Sequence, residues 1–440
     1  MIMKGLRLKI ALLLVLAGLI FGGCKNKGPL EFAMIPDQGA IITGQIQKAI
    51  DNCGASGGGT VFFPAGKYIT GGIHLKSNVT LRFEKGAVLE GSSNLDDYGN
   101  WKWSNAMIMG DSLKNIAIVG EGVLDGIDLT NPKGEGGFRG PHCIRFTNCD
   151  SIIVADITIT RSANWAMNFR HCGNGSVKNV KVRGGHDALH TRFCNNFDVR
   201  GCDFRTGDDC FAGNDNRDFY IENCLINTSC NAFRFGCLNL VAKNCSIWGP
   251  GEFVHIEQNR NNTLSAFTHF SPDDENPKIV NGNWSIQGFT IHNVDQVFNY
   301  NFKDGLWQTG QPATTMVFAN LNVTDVKKAF YIVGDLERSL KLTIRGSSFS
   351  EYGDSNFNTF LFEGRNLDVP AFFNANHFGS IEFHDVAFIT NGNAPVLNIQ
   401  NGNHLLLQNI NYEPAVSEPK IVARNVKDVT TNLTAADLKN

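Results

Sequence analysis

The sequence predicts an all-β chain wound as a single-stranded right-handed parallel β-helix, with one short N-terminal helix as a cap. Three observations predict it. Cysteines recur at a nearly fixed period, as Cys149, Cys172 and Cys194 form one evenly spaced series and Cys202, Cys224 and Cys245 another. Short runs of alternating apolar residues follow the same beat. The composition, 46 Gly and 32 Phe beside 18% charged residues, suits a turn-rich chain with an aromatic core rather than a helical bundle. A coil of roughly twenty to twenty-five residues places positions one period apart directly above each other, at about the 4.8 Å strand spacing.

Residues 1–24 read as an export signal. Lys4, Arg7 and Lys9 precede the apolar run Ile10 to Phe21, which closes on Gly22, Gly23 and Cys24. The run is too short to span a bilayer comfortably. Small residues followed at once by cysteine are similar to the lipobox of bacterial lipoproteins, which implies acylation at Cys24 and a periplasmic or outer-membrane location. Phe21 departs from the usual Leu, and a plain secretory signal is the alternative. Residues 25–440 are expected to form one solenoid domain, held to the membrane only through the N-terminal lipid, and to be monomeric.

Residues 44–52 read as helix, with Ile46, Ala49 and Ile50 on one face, covering the sticky open end of the first coil. Strands follow at Asn78-Val-Thr-Leu, Asn115-Ile-Ala-Ile, Ser151-Ile-Ile-Val, Asn179-Val-Lys-Val, Asn196-Phe-Asp-Val and Asp218-Phe-Tyr-Ile, each entered through a residue suited to left-handed turns or to bonding its own backbone. The beat persists beyond residue 280 in Trp284-Ser-Ile, Met316-Val-Phe, Leu340-Lys-Leu-Thr-Ile, Ser380-Ile-Glu-Phe and His404-Leu-Leu-Leu, with longer insertions. Cys210 and Cys230 are read as a third cysteine column on the same period. Free buried thiols fit these columns best, although bridges between coils are geometrically compatible. A formal net charge of −3 with no long basic run excludes a nucleic-acid partner.

Three segments resemble the start of glycoside hydrolase family 28, the polygalacturonases within the pectin-lyase-like β-helix superfamily. They are GGGTVFFPAGKYITGGIHLKSNVTLRFEKGAVLEGS at 57–92, KNIAIVGEGVLDG at 114–126 and PHCIRFTNCDSIIVADITI at 141–159. Farther on, Gly185-His-Asp-Ala-Leu-His190 lies where the family carries Asn-Thr-Asp-Gly-Ile-Asp, and Thr206-Gly-Asp-Asp-Cys-Phe211 matches its Gly-Asp-Asp-Cys motif. Asp187 and Asp208 are one period apart, so the two motifs belong on adjacent coils. An Asp-Asp pair beside Gly is also common in ordinary turns. The resemblance implies a polysaccharide substrate of pectic or related kind, with Asp208 as general acid and with Asp187 and Asp209 holding and deprotonating the attacking water. It further implies inversion, for which acid and base normally stand roughly 6.5 to 9.5 Å apart. No organic cofactor is expected, and the mechanism requires no metal.

The pattern departs from the family one coil later. Where it places Gly-His-Gly, this chain reads Cys230-Asn-Ala-Phe-Arg-Phe-Gly236, so Asn231 replaces the histidine. The family's Arg-Ile-Lys, whose cations grip a uronate carboxylate, falls by coil counting on His255-Ile-Glu257; a rival count instead gives Arg234 one substrate contact. His186 and His190 flank Asp187 and are candidates to replace the missing histidine; metal ligation is a further reading of their spacing. Trp101, Trp103, Trp165, Trp248 and Phe253 include candidate sugar platforms, although most aromatic residues of such a chain pack its interior. Two alternatives stay open: a β-helix polysaccharide lyase with calcium, and a non-catalytic carbohydrate-binding solenoid.

Overall fold

A computed structural model describes residues 30–36, 39–99, 105–272, 278–302, 312–335, 337, 339–352, 359–362, 365–368, 371–390, 395–413, 421–433 and 438–439. Cys24, Trp101 and Trp103 lie outside the described residues. One parallel ladder runs from Glu31–Ala33 to Leu438–Lys439, and each typical coil contributes three strands to it. Three stacked columns of inward side chains form the core. One runs Ile144, Met167, Leu189, Phe211, Phe233, Phe267, Phe298, Phe330 and Phe373. The second runs Gly175, Phe197, Phe219, Leu240, Trp284, Met316, Leu342 and Ile381. The third runs Leu124, Ile159, Val182, Phe204, Ile226, Ile247 and Ile291. Alternation along each strand sends these residues inward, and the period brings like onto like. Rings therefore stack: Phe211 and Phe233 lie 4.6 Å apart at 5°, and Phe197 and Phe219 lie 5.1 Å apart at 5°.

The turns hold the period. Asn78, Asn115, Ser151, Asn179, Asn196 and Asp218, expected at left-handed turns, all have positive φ, between 52° and 65°. Apart from Ser151, which donates to the adjacent Asp150, their side chains bond coil to coil: Asn196 Nδ2 donates to Asn174 Oδ1 at 2.6 Å, and Asn239 Nδ2 to Asp218 Oδ1 at 2.6 Å. A single left-handed residue turns the chain without breaking the ladder. The late coils accordingly run as long bent strands, Phe373–Ile389 and Leu397–Glu413, bent at His377, Asp385, Asn401 and Asn409.

The helix occupies Thr43–Ala55, longer than the predicted 44–52 because Cys53 extends its buried face beyond Ile46 and Ile50. Ala49 packs only partly against the core. All eleven described cysteines are buried and none is in a disulfide. The third cysteine column is not formed. Phe211 pairs with Phe233, which sets Cys210 beside Ala232 and Cys230 beside Asp208, because the local coil is longer than the interval between the two cysteines.

Candidate active site

The aspartates sit in the bends between strands. Asp187 lies between Lys181–Gly184 and Leu189–Arg192, and Asp208 and Asp209 lie between Asp203–Thr206 and Phe211–Glu222. Coil stacking brings them together: Ala188 N donates to Asp209 O at 3.0 Å, which stacks Asp187 on Asp209 and His186 on Asp208. One oxygen from each of the three carboxylates lies within 4.8 Å of the others. They line a cleft of about 540 Å³ together with Glu135, Arg139, Trp165, His190, Arg234 and His255. Two segments wall it. The loop 126–141 brings Arg139, and the insertion 251–263 brings His255 and Glu257. Glycine lets that insertion approach: a Cβ on Gly207 would meet Val254 O at 2.3 Å.

The three carboxylates have unlike surroundings. Asp187 is 1% exposed. It shares a 2.8 Å hydrogen bond with His190 Nδ1 through Oδ2, while its buried Oδ1 has no partner among the described residues. Burial, with Asp208 and Asp209 alongside, pushes its carboxyl well above the usual range and so favours its neutral form. Asp209 is fully buried and accepts from Asn231 N at 3.1 Å, Asn231 Nδ2 at 2.9 Å and Arg234 Nε. Asp208 is the accessible one, its side chain 14% exposed. Burial favours its neutral form, but the Arg139 guanidinium, with His255 and Arg234, outweighs burial and holds the carboxyl well below the ordinary range. Arg139 Nη2 donates to Asp208 Oδ2 at 3.0 Å, and His255 Nε2 stands 3.7 Å from Asp208 Oδ1. Burial, with Arg139 next, lowers His186 to about 3; burial, with Arg234 next, also lowers His190.

Asp187, Asp208, Asp209, His190, Asn231, Arg234, His255 and Glu257 line one cleft, and His186 lies at its edge through Arg139, 3.2 Å away. Two expectations change. His255 and Glu257 are not the next rung of the ladder: Asn231 and Arg234 pair with Ser265 and Thr268, and residues 251–263 are an insertion that folds back over the site. The carboxylate oxygens also stand closer than the acid–base separation expected of inversion, because adjacent coils are only about 4.8 Å apart. His186 and His190 do not converge on a common ion site: His190 turns to Asp187 and His186 to Arg139. The aspartate trio has ligand-like spacing, as do Asp208, Cys230 and His255, but Arg139 and Arg234 already meet the charge of two carboxylates. Sequence reasoning missed Arg139, which lies 69 residues before Asp208 in a loop without periodic signal. Among the aromatic candidates, Trp165 lines the cleft and stacks on His190 with ring centroids 3.6 Å apart.

Comparison with known proteins centres on these coils. Residues 53–231 match the profile of glycosyl hydrolases family 28. An exo-poly-α-D-galacturonosidase of Dickeya chrysanthemi is 37% identical over 108 residues, 20% of this chain and 17% of that protein. A probable polygalacturonase of Vitis vinifera is 25% identical over 175 residues, 35% of this chain and 36% of its own length. The matched part thus spans well under half of either relative. An exopolygalacturonase from Thermotoga maritima superposes with a TM-score of 0.60 at 16% identity, over 84% of this chain and 94% of that one, which speaks to the fold. Over its matched region, which contains all three aspartates and ends at Asn231, the chain is similar to glycosyl hydrolases family 28.

Proposed function

We propose that this protein hydrolyses glycosidic bonds of a pectic or related polysaccharide by inversion, with Asp208 as general acid and Asp187 and Asp209 serving the attacking water. The observation that carries the reading is the crowding of three carboxylates in unlike environments within one cleft, which allows acid and base tasks to be divided. Asp208 is the carboxyl a leaving oxygen can reach. Asp187 and Asp209 are buried too deeply to attack an anomeric carbon, and Asp187, which lines the cleft, leaves its buried Oδ1 without a partner among the described residues, an acceptor position that a held water would fill. That burial favours inversion over a covalent intermediate despite the short separation. Proton nuclear magnetic resonance of the first product tests it: the inverted anomer is expected, and the retained one would overturn it.

Reducing ends are expected from polygalacturonan or rhamnogalacturonan, falling at least about 10³-fold in Asp208→Asn, by analogy with the rate contributions of general acids. Absorbance from an unsaturated sugar would instead indicate a lyase, and tight glycan binding without turnover would indicate a binding solenoid.

We further infer that the coils are right-handed, as parallel crossovers almost always are, and that residues 25–440 form one domain. Cys24 is acylated after cleavage of residues 1–23, which places the protein in the periplasm or outer membrane. Incorporation of labelled fatty acid, lost in Cys24→Ser, is the expected result; unchanged labelling would refute it.

A further inference from the structure

The loop 126–141 delivers a cation that no sequence motif announces. Arg139 crosses from that loop to Asp208, donating to its Oδ2 at 3.0 Å, and its other terminal nitrogen stands 3.2 Å from His186 Nδ1 and 3.5 Å from Asn164 Oδ1. His186, neutral in this setting and stacked on Phe138 at 5.8 Å, takes no charge from it. The Arg139 side chain is 11% exposed at the cleft wall, so it stands where a ligand can meet it. Arg234 mirrors it from the opposite coil, bonded to Asp209 and lying over the Phe270 ring at 4.3 Å. Each cation thus rests on one carboxylate of the Asp208–Asp209 pair.

Resting on the proposed function above, we propose that Arg139 is a specificity-determining residue for acidic sugars: it leaves Asp208 to bind the substrate's carboxylate, opposite Arg234, and so releases Asp208 for its task. A guanidinium bonds one carboxylate as readily as another, and a fork-to-fork pair with a uronate preserves its hydrogen bonds. A neutral sugar offers no such exchange and leaves Arg139 on Asp208. The groups facing Asp208 are Arg139 from the loop, His186 and Asp187 from the preceding coil, Asp209 beside it, Cys230 and Arg234 from the following coil, and His255 from the insertion. When the guanidinium departs, Asp208 becomes a second home for the proton that burial favours at Asp187. The Asp187 O–H breaks as the Asp208 O–H forms, through one water, leaving Asp187 anionic and the total charge unchanged. That exchange sets acid and base in the roles proposed above.

Galacturonate and its methyl ester, monosaccharides with no bond to cleave, are the probes, titrated calorimetrically into the full chain. Arg139→Gln is expected to bind galacturonate at least about tenfold more weakly, and Arg139→Lys to recover part of the loss. Asp208→Asn, which removes the competing carboxylate, is expected to bind galacturonate more tightly than the parent. None of the three is expected to change affinity for the ester by more than about twofold. Thermal melts of each variant report whether it is folded. Unchanged galacturonate affinity in folded Arg139→Gln, or no gain in Asp208→Asn, overturns the assignment. If the binding pattern holds while no glycan releases reducing ends, Arg139 keeps its role and the hydrolase reading fails; cleavage of acidic glycans with an indifferent Arg139 gives the reverse.

Discussion

At the scale of single residues, the site depends on three identical side chains made different by their neighbours. Asp187 is buried against His190 and two further carboxylates, and Asp208 is clamped by Arg139. A carboxyl whose folded value lies above its unfolded value of about 3.9 binds more protons folded than unfolded, so it lowers stability as pH rises from about 4 toward the folded value. Asparagine at the same place carries no such pH-dependent term. Asp187→Asn is therefore expected to gain in melting temperature relative to the parent between pH 4 and pH 7, while losing catalysis. A difference between variant and parent that is the same at both pH values would count against a neutral buried Asp187. Asn231 replaces the family's histidine without leaving Asp209 bare, because its amide and backbone both donate to Oδ1 while Thr268 Oγ1 donates to its own Oδ1 at 3.1 Å.

At the scale of elements, the regular coils and the irregular loops divide the work. The coils fix the aspartates by backbone hydrogen bonds such as Cys210 N to Asn231 O at 3.1 Å, and each buried Phe of the stacked column contributes about 1.5–3 kcal/mol. The loops supply Arg139, His255 and Glu257, and they pack over glycines. Gly207→Ala would drive a methyl into Val254 O and also toward Gly185 O at 2.8 Å, which displaces the 251–263 insertion. Activity is expected to fall about tenfold or more while the far-ultraviolet circular dichroism stays that of the parent, since the coils continue beneath. Full activity in this variant would mean that the insertion is not needed in its present position.

At the scale of the whole molecule, stability is a sum over stacked neighbours, and burial is nearly uniform along the solenoid axis. The eleven described cysteines illustrate this, each at 8% exposure or less from the capping helix at Cys53 to Cys245. The sulfurs of Cys149, Cys172, Cys194, Cys202, Cys210, Cys224, Cys237 and Cys245 meet backbone carbonyls, as Cys194 does with Phe169 O at 3.4 Å. A thiol reagent is expected to leave these cysteines unmodified in the native protein and to titrate all eleven once denaturant melts the coils. Rapid native modification of any of them other than Cys230, which lines the cleft, would place a breach in the core at that coil.

The sequence by itself determined the repeat and the consequences of repetition. A nearly constant period, an inward apolar alternation and turn residues that tolerate positive φ each constrain the backbone locally, and stacking identical constraints leaves one architecture. Asp187, Asp208, Asp209 and Asn231 were legible through the resemblance of their motifs to family 28, and the period then set those motifs on adjacent coils. Counting failed where the chain leaves the repeat. His255 and Glu257 reach the cleft from an insertion rather than from the next rung, Cys230 falls beside Asp208 rather than above Cys210, and Arg139 arrives from a loop 69 residues away. Those placements depend on the close approach of backbone to glycine and on the pairing of a long flexible cation with a carboxylate. Neither has a period, so only the tertiary structure decided them, and with them the unlike surroundings of the aspartates.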